Sequence, residues 1–310
     1  MKRLLLIAAV AALVLPAAAL AWGGAYPAND ALNSQVDVQV SDAYPVDQAL
    51  PQEWATFLGS LVHGAALAQV HLRLLPSNEV SAECGVEALA CYDPNSQTIY
   101  ATPEDQLDEP AAKEVVIHEY GHHVANNLSD APWPAEDWGT KRWSSYENVC
   151  RKTEQGLASP GDEGRNYQQN PGEAFAETYR MLNLTKQGVA VADIGWDIVD
   201  QAFYPDATAL SLLEQDITTP WTRNTLSHLS GSFGNGVVRT FTVKTTLDGT
   251  FAASLKKPVK AKMTLALYAG KRLIARGATV RARICGQRSL TLKVQRASGR
   301  GAFTIAVSRP

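Results

Sequence analysis

The sequence between residues 115 and 123 is VVIHEYGHH. In an α-helix, where successive residues are about 100° apart, His118 and His122 lie one turn apart and only about 40° apart around the axis. Two imidazoles can then bind one divalent ion, while Glu119 projects at the adjacent angle and can act on a water molecule. Three β-branched residues directly before His118 predict that this helix is buried. We therefore predict a metal-binding helix over about residues 112–127.

The spacing His-Glu-x-x-His is typical of zinc peptidases, in which the histidines bind zinc and the glutamate handles the water. A catalytic zinc ion usually has three protein ligands and one open position. The longer motif HExxHxxGxxH supplies the third ligand locally, but here Ala125 occupies its glycine position and Leu128 its last histidine position. The third ligand must therefore come from another part of the chain.

Residues 170–180, NPGEAFAETYR, are the best source of that ligand. A helix that starts after Pro171 places Glu173 and Glu177 one turn apart on one face. Two carboxylates on a buried face are destabilising unless a cation or hydrogen bonds compensate them. Zinc bound by Glu173, with Glu177 holding the far nitrogen of His118, meets that requirement. The alternative is an exposed helix face with two ordinary glutamates.

The two motifs together, HEYGHH at residues 118–123 and GEAFAETYRML at residues 172–182, resemble the gluzincin clan of metallopeptidases. The similarity is greatest to small domains of the lethal-factor type, and it covers roughly residues 51–216. It implies a gluzincin-type α+β fold with a mixed sheet beside the active-site helix. It also implies one Zn²⁺ per chain and hydrolysis of peptide bonds.

The same resemblance assigns roles to individual residues. It implies His118, His122 and Glu173 as the zinc ligands and Glu119 as the general base. A tyrosine just before the glutamate helix stabilises the oxyanion in lethal-factor-type domains, which points to Tyr167. Weaker candidates for that donor are Arg165 and His228.

Residues 1–21, MKRLLLIAAVAALVLPAAALA, have the pattern of a secretory signal peptide. Two basic residues precede an apolar run, and the segment ends in Ala-Leu-Ala, a small-x-small cleavage site. Cleavage would give a secreted or cell-surface protein that begins near Trp22 and has no later transmembrane segment. The alternative is an uncleaved membrane anchor.

Four cysteines agree with an oxidising compartment and can pair in three ways. Cys84 and Cys91 flank a short segment before a turn, so we expect a local disulfide there. Cys150 and Cys285 would then join distant segments. Neither pair has the spacing of a metal knuckle.

The remaining pattern predicts three regions after the signal. Residues 22–48 lack clear periodicity and could be a linker or a short pro-segment. Residues 49–229 form the predicted zinc metallopeptidase domain, which ends at a Gly/Ser/Asn cluster at 230–236. Residues 235–310 contain short strand-like runs with turns between them, which predicts a small β-sandwich. The predicted helices start near 50 and lie near 112–127, 136–156, 172–184 and 207–215, and the predicted strands lie at 70–74, 98–100, 237–244, 263–268, 273–276, 290–295 and 302–307.

Charge divides the chain unevenly. Residues 235–310 contain sixteen Lys or Arg and one acidic residue, Asp248, for a net +15. Residues 22–234 contain ten basic and thirty acidic residues, for a net −20. We expect the basic domain to bind an anionic cell-surface polymer rather than nucleic acid, since the chain is secreted. Alternatively, it docks on the acidic domain or is simply a charged, soluble sandwich.

The sequence therefore predicts a secreted zinc peptidase, more specifically an endopeptidase, that acts on peptides or proteins. The alternative is a catalytically silent secreted gluzincin-fold protein that binds or adheres through its basic C-terminal domain.

Overall fold

The computed structural model describes residues 21–107 and 109–310. Nearly all of the predicted signal peptide, residues 1–20, lies outside these residues. The chain is mixed α+β in its first part and all-β in its last part, as the sequence predicted. The strands of the first part are β1 (Ala21–Pro27), β2 (Gln35–Ser41), β3 (His71–Leu74), β4 (Ala90–Asp93) and β5 (Thr98–Ala101). Its helices are α1 (Ala49–Ser60), α2 (Ser77–Cys84), α3 (Ala112–Asn126), α4 (Ala135–Trp138), α5 (Lys141–Tyr146), α6 (Val149–Glu154), α7 (Pro171–Lys186) and α8 (Ala207–Thr218).

The sheet of the first part has the strand order β1-β2-β3-β5-β4. Strand β3 is parallel to β2 and β5, while β1 and β4 pair antiparallel at the two edges, so the sheet is mixed. Alternate side chains of a strand point to the same face. The valines Val36, Val38 and Val40 of β2 are accordingly all fully buried in the core.

Residues 22–48 differ from the expected linker or pro-segment. They include most of β1 and all of β2, and β2 is paired on both sides, with β1 and with β3. Removal of this segment would take an inner strand out of the sheet. The period-two signal was present in QVDVQVS at residues 35–41, but the Ala, Pro, Asp and Asn around it obscured it.

Helices α3 and α7 pack directly against each other and against the core below the sheet. At the contact, a Cβ on Gly121 would lie 2.9 Å from Cα of Ala176, closer than real Cβ atoms come. Helix α7 begins where the sequence predicted, at Pro171. The Asn170 side chain accepts a hydrogen bond from the backbone N–H of Gly172 at 3.0 Å and caps the helix.

The helix predicted over 136–156 is instead three short helices, α4, α5 and α6. Gly139 separates α4 from α5 with φ of +75°, and Asn148 separates α5 from α6 with φ of +56°. Both values lie in the left-handed region, which ends an α-helix. The apolar periodicity of this segment continues across these breaks, which is why it indicated one helix.

The last part is a sandwich of two antiparallel four-stranded sheets. Its strands are β6 (Thr225–Phe233), β7 (Val238–Lys244), β8 (Gly249–Lys256), β9 (Lys262–Ala269), β10 (Arg272–Gly277), β11 (Thr279–Ile284), β12 (Ser289–Ser298) and β13 (Gly301–Arg309). One sheet has the order β10-β9-β12-β7 and the other β11-β8-β13-β6. Phe251, Leu265, Leu292 and Ile305 are fully buried between them.

The sandwich starts earlier than the predicted boundary at 230–236. Strand β6 pairs with β13 over nine residues, from Thr225 to Phe233, and so belongs to the sandwich. Its sequence, TLSHLSGSF, is rich in Ser and exposes most of one face, so it lacked a clear strand pattern. The predicted metallopeptidase domain therefore ends near residue 219, where α8 ends.

Both expected disulfides are present. Cys84–Cys91 joins the end of α2 to β4 within the first part. Cys150–Cys285 joins α6 to the sandwich, and Asp248 and Arg288 add hydrogen bonds to Ser145 there. One end of the sandwich is therefore fixed to helices α5 and α6.

Within residues 21–107 and 109–310, no helix is both long and apolar enough to cross a membrane.

Candidate metal centre and cleft

Helix α3 presents His118 and His122 on one face, as the spacing predicted. Their Nε2 atoms lie 3.2 Å apart. Helix α7 brings Glu173 to the same point: its Oε2 is 3.2 Å from Nε2 of His118, and its Oε1 is 3.3 Å from Nε2 of His122. The structure thus brings together the three predicted ligands from two separate helices.

These separations suit a tetrahedral ion. Zinc with ligands at 2.0–2.1 Å requires ligand atoms about 3.3–3.4 Å apart. The three measured separations, 3.2, 3.2 and 3.3 Å, approach this value. His118 and Glu173 are buried, and His122 is partly exposed towards a cleft. The residues present therefore fit a mononuclear zinc site with one side open.

Glu177 lies behind His118, as predicted. Its Oε1 accepts a hydrogen bond from Nδ1 of His118 at 2.8 Å. Arg180 donates to the same carboxylate at 2.7 Å and also reaches Glu114 at 3.2 Å. A proton fixed on Nδ1 leaves the Nε2 lone pair of His118 available for a metal. Arg180 was not predicted, although it lies three residues after Glu177 on the same helix.

The imidazoles and the carboxylates of this cluster stabilise one another's charged forms. Burial alone would lower the pKa of His118, but hydrogen bonds to Glu173 and Glu177 raise it to about 10. Burial alone would raise the pKa of Glu173, but the two imidazoles hold it well below its usual range. Both directions favour positive charge at the point where the three side chains meet. A divalent ion would replace that charge, which is the chemistry expected of a metal site.

Glu119 takes no part in the ligand cluster and instead lines the cleft beside it. Burial raises the pKa of Glu119, while the neighbouring imidazoles act in the opposite direction. Glu119 therefore faces the cleft without belonging to the group of three candidate ligands.

Tyr167 precedes α7 in a short 3₁₀ turn and faces the same cleft. Its hydroxyl donates a hydrogen bond of 2.5 Å to Oε2 of Glu173. Burial, followed by the Glu173 charge, raises the pKa of Tyr167 far above its usual value. A hydroxyl donor therefore lies next to a predicted ligand. The alternative donors Arg165 and His228 are not among the described residues that line the cleft.

The cleft extends to both sides of Glu119. One side has a volume of about 780 Å³ and is lined by carboxylates in addition to the ligand cluster: Glu87, Glu136, Asp137 and Glu163. The other side, of about 690 Å³, includes apolar side chains: Leu89, Pro110, Val115 and Ile198. No Lys or Arg is among the described residues that line the first side.

Burial raises the pKa of Glu136 and that of Asp137. Burial, followed by the Glu173 charge, does the same to the pKa of Glu163. The raised pKa values indicate that these carboxylates are incompletely solvated and lie near other negative charges. A cation that entered this side of the cleft would relieve both effects.

A second group of potential ligands, Cys150, Glu154 and Cys285, is not a metal site. Both sulfur atoms belong to the disulfide between the two parts of the chain.

His123, which follows His122 in the sequence, has a structural environment of its own. Its ring is fully buried, and Nε2 donates to the backbone carbonyl of Ala66 at 2.9 Å.

No protein-family model matches this chain, and no curated protein matches it. Among solved structures, it has limited similarity to the Aeromonas hydrophila periplasmic inhibitor of g-type lysozyme, with 13% identity, a TM-score of 0.25, and coverage of 27% of this chain and 86% of that chain. For the Yersinia pseudotuberculosis-derived mitogen, the identity is 18%, the TM-score 0.24, and the coverage 28% and 87%. For the pre-peptidase C-terminal domain of a Bacillus anthracis collagenase, the identity is 18% and the TM-score 0.23, and the match covers 26% of this chain and 87% of that chain. Scores this low support no conclusion about the fold or function of the chain.

Proposed function

We propose that this protein is a secreted zinc-dependent peptidase with a gluzincin-type site. The observation that carries the proposal is the convergence of His118, His122 and Glu173 at separations suited to tetrahedral zinc. Glu119, which is not part of this cluster, lies beside it in the cleft. Three ligands, an open side and an adjacent carboxylate are the parts that metal-assisted hydrolysis requires.

When bound, zinc would lower the pKa of a water molecule and polarise the scissile carbonyl. Glu119 accepts the proton of that water and passes it to the leaving amine. Glu177 and Arg180 keep the ring of His118 in the tautomer that offers Nε2 to the ion. The Tyr167 hydroxyl, which donates to Glu173 in this structure, would exchange that partner for the oxygen on which negative charge develops.

The shape of the cleft supports an endopeptidase that binds an extended substrate. Space on both sides of Glu119 leaves room for residues before and after the scissile bond. On one side, the carboxylates Glu136, Asp137 and Glu163 favour cationic side chains. On the other, the apolar lining favours an uncharged residue. The expected substrate is therefore a peptide or protein with Lys or Arg near the cleavage point.

Secretion is supported by the signal-like N-terminus and by the two disulfides, which form and persist in oxidising compartments. N-terminal sequencing of the exported protein tests this part of the proposal. A mature N-terminus near Trp22 agrees with it, and retention of residues 1–21 in a membrane fraction contradicts it.

The decisive experiment compares the wild-type protein with Glu119→Gln. We expect both to contain about one zinc per chain, because Glu119 is not a ligand. We expect the variant to lose about a hundredfold or more in casein hydrolysis, since it lacks the general base. Glu154→Gln, the same change at an exposed residue of α6, serves as the control and keeps full activity.

The same experiment separates the proposal from the alternative of a silent binding protein. Zinc bound without casein or peptide hydrolysis in the wild type would favour the silent protein. Equal activity of wild type and Glu119→Gln would remove the proposed base. Absence of zinc after expression in zinc-supplemented medium would remove the proposed site.

A further inference from the structure

The surface of the sandwich carries almost no negative charge. Its one acidic side chain, Asp248, is only 1% exposed and pairs with Arg288. Sixteen Lys and Arg residues accompany it between residues 235 and 310. The exposed surface therefore has many cations and no Asp or Glu side chain to neutralise them.

The first part of the chain does not neutralise these cations either. Among the described residues, no ion pair joins a basic residue of the sandwich to a carboxylate of the first part. The junction consists of a disulfide, hydrogen bonds around Ser145, and Arg283 placed 5.6 Å from the centre of the Trp133 ring. Electrostatic docking on the acidic domain therefore does not explain the charge of the sandwich.

Seven of the sixteen basic residues lie at the end opposite the junction. Asp248, Cys285 and Arg288 mark the junction end, and β8 runs away from it for eight residues, roughly 25 Å. We call the opposite end the distal end. Its basic residues are Arg239, Lys256, Lys257, Lys260, Lys262, Arg296 and Arg300. Register pairs Lys262 with Ser298 and Gln295 with Val238, which brings the ends of β9, β12 and β7 together.

Exposed apolar side chains lie at the same end of the sandwich. Val259, in the loop between β8 and β9, is 99% exposed, the most exposed large hydrophobic side chain of the described residues. Lys257 and Lys260 flank it closely in the chain. Val237 and Val238, at the start of β7, are exposed at the same end. Exposed apolar side chains near cations are unfavourable in water but suit the boundary between lipid headgroups and acyl chains.

We propose that the distal end of the sandwich binds the surface of an anionic lipid bilayer. The basic residues contact the negative headgroups, and Val259 enters the interface between headgroups and acyl chains. A soluble anionic polymer, the partner that the sequence alone suggested, would use the charges but gain nothing from Val259. The exposed valine therefore favours a membrane surface over a polymer.

Vesicle co-sedimentation of the purified full protein tests the proposal. We expect binding to phosphatidylcholine vesicles that contain about 30% phosphatidylserine and little binding to phosphatidylcholine alone. Binding should weaken as the salt concentration rises from about 0.1 M to 1 M, because the Debye length falls from about 10 Å to 3 Å. Val259→Ser, which leaves the charge unchanged, should weaken the partition coefficient about tenfold.

Two variants of equal charge locate the surface. The distal variant changes Lys256, Lys260, Lys262 and Arg300 to Gln. The control variant changes Lys271, Arg272, Arg276 and Arg281, which lie elsewhere on the sandwich, to Gln. All eight residues are exposed, so both variants should fold. We expect the distal variant to bind anionic vesicles at least tenfold more weakly than the control variant.

Three results would overturn the proposal. The first is absence of binding to anionic vesicles at low salt. The second is equal loss in the distal and control variants, which indicates attraction by net charge alone. The third is heparin binding that exceeds vesicle binding and is insensitive to Val259→Ser, which assigns the surface to a soluble polymer. Because Glu119→Gln leaves this end unchanged, vesicle binding can be judged independently of peptidase activity.

Discussion

Nδ1 of His118 lies 2.8 Å from Oε1 of Glu177, on the side of the ring that faces away from His122. This hydrogen bond fixes which nitrogen of the ring carries the proton. Arg180 in turn fixes Glu177, so that a chain of three side chains orients one predicted ligand. The site therefore depends on residues that need not touch a metal ion.

The first prediction concerns this chain of side chains. Glu177→Ala removes the acceptor for Nδ1, and we expect a zinc affinity about 10- to 100-fold lower while the fold is retained. Competition with a fluorescent chelator measures the change. Glu214→Ala, a partly exposed glutamate paired with Lys186, should leave zinc affinity unchanged. Equal zinc affinity in both variants would mean that Glu177 does not orient His118.

The second prediction concerns the acidic side of the cleft. The double change Glu136→Gln and Asp137→Asn keeps the side-chain shapes and removes two charges. We expect kcat/KM to fall about tenfold for peptides with Lys or Arg near the cleavage point, since these charges attract across a partly desolvated cleft. Peptides with neutral residues at the same positions provide the control and should change little. An equal loss for both peptide sets would indicate damage to the site rather than a change in selectivity.

The third prediction concerns Lys141, whose side chain is fully buried near the junction with the sandwich. Its Nζ donates to Oδ1 of Asp130 at 2.9 Å and to the carbonyl of Ala131 at 2.7 Å. Lys141→Met leaves a buried carboxylate without its partner, and we expect the free energy of unfolding to fall by about 3–5 kcal/mol. Urea unfolding followed by tryptophan fluorescence measures this change.

Lys113 provides the matched control for Lys141. It forms an ion pair of 2.6 Å with Glu53, but both side chains are substantially exposed. Lys113→Met should therefore lower the free energy of unfolding by less than about 1 kcal/mol. Similar losses in the two variants would contradict the difference attributed to burial.

The fourth prediction concerns stability at alkaline pH. Burial raises the pKa of Tyr92 to about 12, although a hydrogen bond from Asn126 opposes the shift. The folded state thus favours the protonated phenol. The stability that this phenol contributes is complete below the unfolded-state pKa of about 10 and is lost as the pH rises from about 10 through 12. Unfolding curves over this range should fall less steeply with pH for Tyr92→Phe than for the wild type. If stability fell equally steeply with pH in both proteins, the contribution of the Tyr92 phenol would be excluded.

The ligand cluster could be predicted because its geometry is mostly local. His118 and His122 are one turn apart, as are Glu173 and Glu177, so helical periodicity alone places each pair on one face. Buried carboxylates need a cation or hydrogen bonds, so the glutamate pair is expected to lie against the histidine pair and its metal ion. The mixed sheet was expected only through resemblance, and both disulfides agreed with the compartment suggested by the N-terminus.

Other features depend on contacts between distant segments, which the sequence does not specify. The acidic side of the cleft collects Glu87, Glu136, Asp137 and Glu163 from separate loops and helices. Strand β6 becomes a strand because β13 pairs with it, since its own residues are mostly small and polar. The distal end of the sandwich likewise requires strand register before its basic residues can be recognised as neighbours.

The contact between Gly121 and Ala176 has a consequence for the candidate metal centre. Gly121 lies one residue before His122, and Ala176 one residue before Glu177, so this close contact of the two helices lies beside the candidate ligands. The distance between the histidine pair and the glutamate pair therefore depends on residue 121, where glycine has only a hydrogen atom in place of a side chain. A methyl group there would clash with the backbone of Ala176, so the contact between the two helices would have to shift. The position of Glu173 relative to His118 and His122 would then change, although none of these three residues had been altered.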